Sequence, residues 1–495
     1  MAGIGIKLNK IYEKRTVTTN LLGIGYSAVI TIAPMFLIIL SIIAMQYLLD
    51  GFFLGYSTRL VFACSVLYIF IFALLTTSPF NAVLSKYLSD VIYRETYEDI
   101  LPCYYMGLAL NAVLSCIPAI PFCLWAYFVG ELSLPYVFAV YCGYMLLVQI
   151  LYAMLYLSIC KDYGKISLFY LLGAIVAVLM SWIFAKKLGW DTELAMMAAL
   201  DIGFLVTACL EIGMIRGYFR QNSGKYKEVL GYLLKYWKLI VTNFLYILGL
   251  YIHNFVFWTT DLHIVVSNTF VCVLPYDMAT CIAMFTNISA TVIFISRMER
   301  YFHERYKNYS EAVIGGKWKD IVNAKNRMFN QLSEELMSLL RLQFIVSAIV
   351  YLLAVMFLPQ YGYAGLVMRI YPCMAAGYFI LFIMYAAIIY LYYFEDLTGA
   401  LMTSLSFCIT TFVVSIFATE FADIWYGLGI TAGSFVGWTV AYIRLRWLEK
   451  HFDVHIFCNG HILKKGRGKR PDSMVYEKKE NGDTKKDEKE AIICN

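Results

Sequence analysis

Charged residues are scarce in this chain. Only 15% of its 495 residues are charged, and 61% are hydrophobic. A soluble chain of this length carries about a quarter charged residues, so the composition excludes an ordinary soluble protein. The apolar runs are long and do not alternate with polar residues, which also excludes a transmembrane β-barrel with its alternating segments of about ten residues.

The chain also lacks the motif and the loops that two classes of membrane enzyme need. Gly315-Gly316-Lys317-Trp318 has neither the upstream glycine nor the hydroxyl residue of a phosphate-binding loop, so we predict no ATP hydrolysis through that motif. The segments between apolar runs are too short for a nucleotide-sugar domain of ordinary size. Transport and a non-catalytic assembly role remain, and we predict no enzymatic activity.

Paired Cys-x-x-Cys spacing is absent as well. Eleven of the 13 cysteines lie in or beside apolar runs, where they behave as small apolar residues. Cys458 and Cys494 fall in a predicted reducing compartment, so no structural disulfide is expected. His451, His455 and His461 lie near Cys458, but without paired cysteines this 451–461 cluster predicts no metal site. No other cofactor is predicted.

About twelve apolar runs are present, and most reach the roughly 20 residues that a membrane-spanning helix needs. The first run is too long for the apolar region of a cleavable signal peptide, so it predicts a retained signal-anchor. The predicted spans are 21–48, 58–80, 103–129, 134–159, 166–185, 194–215, 239–259, 268–296, 343–359, 372–394, 398–418 and 422–443.

Lysine and arginine define the predicted orientation. With the N-terminus inside, 36 of the 40 basic residues fall on the inner side, as the positive-inside rule requires. Both termini are therefore predicted to be cytoplasmic, in a multi-pass protein of the cell membrane. The net charge of +6 follows from this topology and does not indicate nucleic-acid binding.

The spacing of the spans indicates two halves. In each half the longest inner loop follows the second span, as in a duplicated six-helix unit of the kind that transporters use. The predicted organisation is a cytoplasmic amphipathic N-terminus (1–20), an N-lobe of helices 1–6 (21–215), a cytoplasmic linker (216–238), a C-lobe of helices 7–12 (239–445) with a cytoplasmic arm (297–342), and a basic, partly disordered tail (446–495).

Several ordered patches resemble one known family. They are Met1-Ala2-Gly3-Ile4-Gly5-Ile6-Lys7-Leu8, Lys86-Tyr87-Leu88-Ser89-Asp90, Tyr97-Glu98-Asp99-Ile100-Leu101-Pro102, Leu248-Gly249-Leu250-Tyr251-Ile252, Phe257-Trp258 and Tyr276-Asp277 through Glu299 to Gly315-Gly316. In their order and spacing, these patches resemble the Pel exopolysaccharide exporter family (PelG), within the multidrug/oligosaccharidyl-lipid/polysaccharide (MOP) exporter superfamily.

This resemblance implies an all-α membrane protein with twelve helices in two six-helix lobes. It also implies export of a hexosamine-rich polysaccharide beside a cytosolic glycosyltransferase and small membrane subunits. The sequence departs from similar exporters in span seven, where an acid–base pair is replaced by His253-Asn254. A pH-sensitive histidine is the substitute to consider at that position.

Ionisable groups inside spans are costly and usually face the bundle interior or water. Those of this chain fall at outer-half depths, which predicts a polar vestibule open to the outside. The alternative is structural, for example a buried salt bridge between Asp277 and Arg59. The residues predicted to line the substrate path are Arg59, Asp201, His253, Asn254, Tyr276 and Asp277.

The arm that follows span eight is basic and carries an apolar repeat. A surface amphipathic helix explains that pattern. A docking site for the cytosolic synthase, carried by Arg297, Glu299, Arg300 and Arg305, is the alternative. The basic cluster 464–470 is predicted to contact anionic lipid.

The function predicted from these features is outward export of a sugar polymer for a biofilm matrix. Within transport, the alternatives are a lipid-linked oligosaccharide flippase and a drug antiporter. Residues 21–49 contain no ionisable side chain, which argues against an antiporter with a buried acid in its first span. The alternative from another class is a non-transporting membrane scaffold for a polysaccharide synthase.

Overall fold

Helices make up almost all of the described structure. The computed structural model describes residues 34, 36–49, 55–159, 163–284, 302–361 and 365–459. Within these ranges, nine helices are long and apolar enough to cross a membrane. A bilayer offers no water to backbone polar groups, so a chain this apolar satisfies them inside helices. The protein is therefore a multi-pass membrane protein.

The N-lobe contains the first six helices of the described chain. Prolines lie within two of them without ending the helix: Pro79 in the second, and Pro118 with Pro121 in the third. The bounds are α1 Phe36–Leu49, α2 Tyr56–Tyr93, α3 Ile100–Phe128, α4 Leu134–Ile159, α5 Tyr163–Lys186 and α6 Thr192–Tyr218.

A short surface helix and the C-lobe follow. Pro275 lies in the first turn of α9, where proline is well tolerated. The bounds are α7 Tyr226–Lys235, α8 Trp237–Phe257, β1 Ile264–Val266 and β2 Phe270–Cys272, α9 274–284, α10 His303–Gly315, α11 Trp318–Phe357, α12 Leu366–Tyr393, α13 Leu397–Ala418 and α14 Leu428–Asn459.

Three elements differ from the spans predicted from hydropathy. The start of the predicted eighth span (268–296) is an antiparallel β-hairpin, in which Ile264 pairs with Cys272. Ser267 and Asn268 adopt positive φ values, which a tight hairpin turn requires, so the following helix begins only at residue 274. Helix α2 continues past its predicted end at residue 80, and α11 joins the arm to the ninth span in one helix. Apolar content alone marks neither a hairpin nor a helix that extends beyond the membrane.

Small residues allow the closest helix crossing in the N-lobe. A Cβ atom added at Gly203 of α6 would lie 2.6 Å from the carbonyl oxygen of Gly173 of α5 and 2.9 Å from the Cβ of Ala177. Close backbone approach through glycine is a common way for membrane helices to associate. Helix α6 also packs on α4, which places it at the centre of the lobe.

The two lobes meet along α2 and α8. Helix α2 belongs to the N-lobe, whereas α8, the hairpin and α9 belong to the C-lobe. Residues from 446 onward form a separate compact unit, whose described part is the end of α14. The predicted tail therefore begins with helical residues, up to Asn459.

Candidate functional site

Asp277 is at the centre of a buried hydrogen-bond cluster between α8 and α9. Its carboxylate accepts hydrogen bonds from Asn254 Nδ2 at 2.7 Å and from Trp258 Nε1 at 3.1 Å to each oxygen. The backbone N–H of Val273 donates to it at 3.0 Å. All these donors are neutral, and no ion pair joins Asp277 to Arg59 in the part of the chain that the structure describes. An acid in the first turn also interacts favourably with the dipole of α9.

His253 and Tyr276 extend this cluster towards the core of the C-lobe. His253 Nδ1 lies 2.8 Å from the Tyr276 hydroxyl, and the Tyr276 ring stacks on Phe257 with centroids 4.0 Å apart. His253 is fully buried, and its Nε2 has no hydrogen-bond partner among the described residues. The structure therefore brings together four of the six predicted path residues: His253, Asn254, Tyr276 and Asp277.

The other two predicted path residues lie elsewhere in the N-lobe. Arg59 is in the first turn of α2, where it is half-buried. Asp201 lies on α6 beside Gly143 of α4, since a Cβ atom at Gly143 would be 2.6 Å from Asp201 Oδ1. Asp201 is therefore packed among the helices of its own lobe and takes no part in the Asp277 cluster.

Trp258 and Tyr68 complete the site, and the sequence analysis did not single them out. The Tyr68 ring of α2 stacks on Trp258 with centroids 5.0 Å apart and planes 4° apart. Its hydroxyl donates to the Val271 carbonyl at 2.8 Å and accepts from the Val271 N–H at 3.0 Å. Trp258 follows Asn254 by one helical turn, a spacing that could have identified it. Nothing in the sequence near Tyr68 signals its partner 190 residues later.

A pair of thiols lies one helical turn from Tyr68. Cys64 Sγ of α2 is 3.3 Å from Cys272 Sγ of β2, and both side chains are buried. Together with the contacts of Tyr68, this pair joins the N-lobe to the C-lobe near the Asp277 cluster. We call these contacts of Cys64 and Tyr68 with Trp258, Val271 and Cys272 the outer seam, following the predicted orientation.

An inner seam joins the lobes at the opposite end of α2. Lys86 Nζ lies 2.9 Å from Glu395 Oε1, in the turn between α12 and α13. Nearby, the Tyr232 hydroxyl of α7 donates to Asp90 at 2.7 Å, and its ring meets Tyr87 edge-on. Burial, together with the hydrogen bond to Asp90, raises the pKa of Tyr232. The tyrosine therefore stays a neutral donor at every physiological pH.

Only part of the predicted docking arm is described. Arg305 is an exposed residue of α10, whereas Arg297, Glu299 and Arg300 lie outside the described residues. Phe302, just before α10, packs edge-on against Tyr390 of α12 with centroids 4.9 Å apart. This contact holds the start of α10 against the C-lobe.

No group of three or more metal-ligating side chains occurs within the described ranges. Of the 451–461 cluster, the side chains of His451 and His455 are described, whereas the Cys458 side chain and His461 are not. The Asp277 cluster offers one carboxylate to several neutral donors, an arrangement that holds helices together and carries no catalytic base or nucleophile pair.

Solved structures with a similar fold are membrane transporters. A multidrug resistance MATE family transporter of the MOP superfamily, in an outward-facing conformation, is 14% identical, with 86% of this chain and 96% of that chain covered and a TM-score of 0.59. The MATE transporter ClbM in complex with Rb⁺ is 15% identical, with 87% and 96% covered and a TM-score of 0.54. A MOP superfamily transporter from Pyrococcus furiosus Vc1 is 14% identical, with 86% and 96% covered and a TM-score of 0.54.

These similarities confirm the predicted twelve-helix, two-lobe fold of the MOP superfamily. No curated protein matches the chain in sequence. The model of the PelG family, described as an exopolysaccharide exporter (EPS-E), matches residues 1–457, which is nearly the whole chain. The chain therefore belongs to the PelG exopolysaccharide exporter family.

Proposed function

We propose that this membrane transporter moves a hexosamine-rich, Pel-type exopolysaccharide outward across the cell membrane, for a biofilm matrix. Both termini lie in the cytoplasm, and the protein has no catalytic chemistry of its own. Membership of the exporter family, the MOP fold and the excess of basic residues on one side support this proposal. The polymer reaches the transporter from a cytosolic glycosyltransferase that works with small membrane subunits.

The observation that carries the proposal is the position of α2 between the lobes. Its aromatic and thiol contacts near Trp258 form the outer seam, and the Lys86–Glu395 ion pair forms part of the inner seam. Glu395 is 61% exposed, and such a pair contributes only about 0–1 kcal/mol. A path between the lobes can therefore open at either end without breaking a large number of strong contacts.

The Asp277 cluster positions the outer seam in this proposal. Both carboxylate oxygens accept from Trp258 Nε1, so the acid fixes the indole plane against which Tyr68 stacks. When the lobes separate, Tyr68 leaves this surface and an aromatic face flanked by a carboxylate is exposed. Such a face suits a polymer with apolar sugar faces and cationic amines.

Oxidation of the native thiol pair tests the requirement for lobe separation. Copper phenanthroline converts the Cys64 and Cys272 thiols to a disulfide, with loss of two S–H bonds and formation of one S–S bond. We expect this cross-link to lower polysaccharide secretion at least ten-fold, because α2 is then tied to β2. Reduction with dithiothreitol is expected to restore secretion. Peptide mapping of the purified protein reports how much cross-link forms.

The matched control is Cys64→Ser, which keeps the size of the side chain and removes the bond. Oxidised cells carrying this variant should secrete normally, which separates the cross-link from general effects of the oxidant. If the cross-link forms in full and secretion continues unchanged, the lobes need not separate. That result would favour the non-transporting scaffold over the transporter.

Within transport, a lipid-linked oligosaccharide flippase or a drug antiporter is the second candidate. The titles of several structurally similar proteins describe multidrug transporters, which favours this candidate at the level of the fold. Secretion of polymer by cells that express the protein, without a change in drug resistance, would decide in favour of the exporter.

The basic arm is proposed as the docking surface for the cytosolic glycosyltransferase. Reversing the charge of Arg297, Arg300 and Arg305 is expected to reduce both secretion and co-purification of the glycosyltransferase several-fold. Arg305 is exposed on α10, so its reversal disturbs no buried contact. Arg220→Glu, in the linker before α7, is the control for added negative charge. Unchanged secretion together with unchanged co-purification would refute the docking proposal.

A further inference from the structure

A second set of buried carboxyl groups lies inside the N-lobe, apart from the Asp277 cluster. Glu211 of α6 is fully buried, and neither of its carboxylate oxygens has a hydrogen-bond partner among the described residues. Asp201 precedes it by ten residues on the same helix, about 15 Å along the axis, and its Oδ1 is also buried without a partner. The sequence analysis did not select Glu211.

An ionised carboxylate without a partner is costly at this depth, because neither water nor a cation compensates for its charge. The protonated form is neutral and avoids that cost. Two positions on α6 thus favour carboxyl groups that hold a proton while buried. They can release it when water or a basic group reaches them.

The groups that face Glu211 are hydroxyls and not cations. Tyr104 of α3 and Tyr170 of α5 lie within electrostatic range of Glu211, and the Tyr104 hydroxyl is buried without a partner among the described residues. From α4, the Tyr152 and Tyr156 hydroxyls bond to each other and to the α3 segment that carries Tyr104. Arg216, on the same helix as Glu211, is exposed and donates to the Tyr105 hydroxyl.

A cavity lies along α6 between the two carboxyl groups. Its volume is about 10 Å³, close to the smallest that holds one water molecule. Its polar walls are the side chains of Ser41 of α1, Tyr170 of α5 and Thr207 of α6. Thr207 precedes Glu211 by one helical turn. One water molecule and these hydroxyls can relay a proton between the ends of the pair.

We propose that Asp201 and Glu211 form a proton pathway through the N-lobe, in which Glu211 binds and releases the proton that drives transport. This inference rests on the proposed transport function. In the predicted orientation, Asp201 takes a proton from outer water, and an O–H bond forms. That bond breaks as the proton passes through the cavity to Glu211, which later releases it to inner water. The ligand is the proton, and no other reactant is consumed.

The experiment compares Glu211→Gln with the unsubstituted protein. Glutamine has the shape of the protonated acid but cannot exchange a proton, so the variant should accumulate normally while secretion falls at least ten-fold. Infrared difference spectra of the full-length protein in lipid, recorded across a pH step, should lose one carboxylic acid C=O band in this variant. Asp201→Asn should remove a second band.

Two further variants keep the outcome interpretable. Glu211→Asp retains an acid and should recover part of the secretion, whereas Glu228→Gln, at an exposed position of α7, should leave secretion and spectra unchanged. Normal secretion by Glu211→Gln would overturn the proposal and leave the transport function untouched. A requirement for external sodium, with no change in the carboxylic acid bands, would also overturn it in favour of a sodium site.

Discussion

Replacing Asp277 with alanine is expected to lower the amount of protein in the membrane several-fold and to abolish secretion. The substitution leaves the Asn254 amide, the Trp258 indole N–H and the Val273 N–H without their acceptor. Each buried donor left unpaired costs about 1–3 kcal/mol, and a typical protein is stable by only about 5–15 kcal/mol. Membrane protein level and secreted polymer per cell are the measurements.

Two conservative variants separate hydrogen bonding from charge at this position. Asp277→Glu keeps both acceptor oxygens and should retain much of the secretion. Asp277→Asn offers one acceptor oxygen and places an N–H₂ group against existing donors, so it should be more damaging. Asp261→Asn, in the exposed loop after α8, is the control and should behave like the unsubstituted protein.

The double variant Asp277→Asn with Arg59→Gln tests the salt-bridge alternative. We expect no recovery, since the donors that bind the Asp277 carboxylate are neutral side chains and a backbone amide. Full recovery of protein level and secretion would show that the acid serves to compensate the charge of Arg59. It would contradict a positioning role for Asp277 at the outer seam.

Replacing Gly203 with valine is expected to have a comparably large effect, through packing alone. The added side chain would meet the backbone of Gly173 and the Cβ of Ala177 at distances below 3 Å, so α5 and α6 would have to separate. Overpacking of this kind costs about 1–3 kcal/mol or more. Loss of protein from the membrane, measured by immunoblotting of membrane fractions, should follow.

Gly213→Val is the matched control on the same helix. Nothing lies within 4 Å of a Cβ atom added at Gly213, while the change in helix propensity is the same as at Gly203. The control variant should accumulate and secrete normally. Equal loss of both variants would mean that valine weakens α6 itself and that the crossing with α5 is not the cause.

Much of the candidate site could be predicted from the sequence, and the part that could not has a physical reason. Asn254 and Asp277 were identified because polar groups inside apolar runs are costly and therefore conspicuous. Trp258 was overlooked because an aromatic residue at the end of a span is ordinary at a membrane interface. Glu211 was overlooked because an acid close to the predicted inner end of a span can reach water, whereas the tertiary structure buries it completely.

The sequence by itself determined the solvent of this protein, the positions of most of its helices and its two-lobe fold. These properties follow from hydropathy along the chain, because each membrane-spanning helix satisfies its own backbone hydrogen bonds. Only the tertiary structure decided which side chains meet across the lobes, such as Tyr68 with Trp258 and Cys64 with Cys272. It also decided that Asp201 lies apart from Asp277. Such contacts depend on the rotation and packing of helices far apart in the chain, which local hydropathy does not encode.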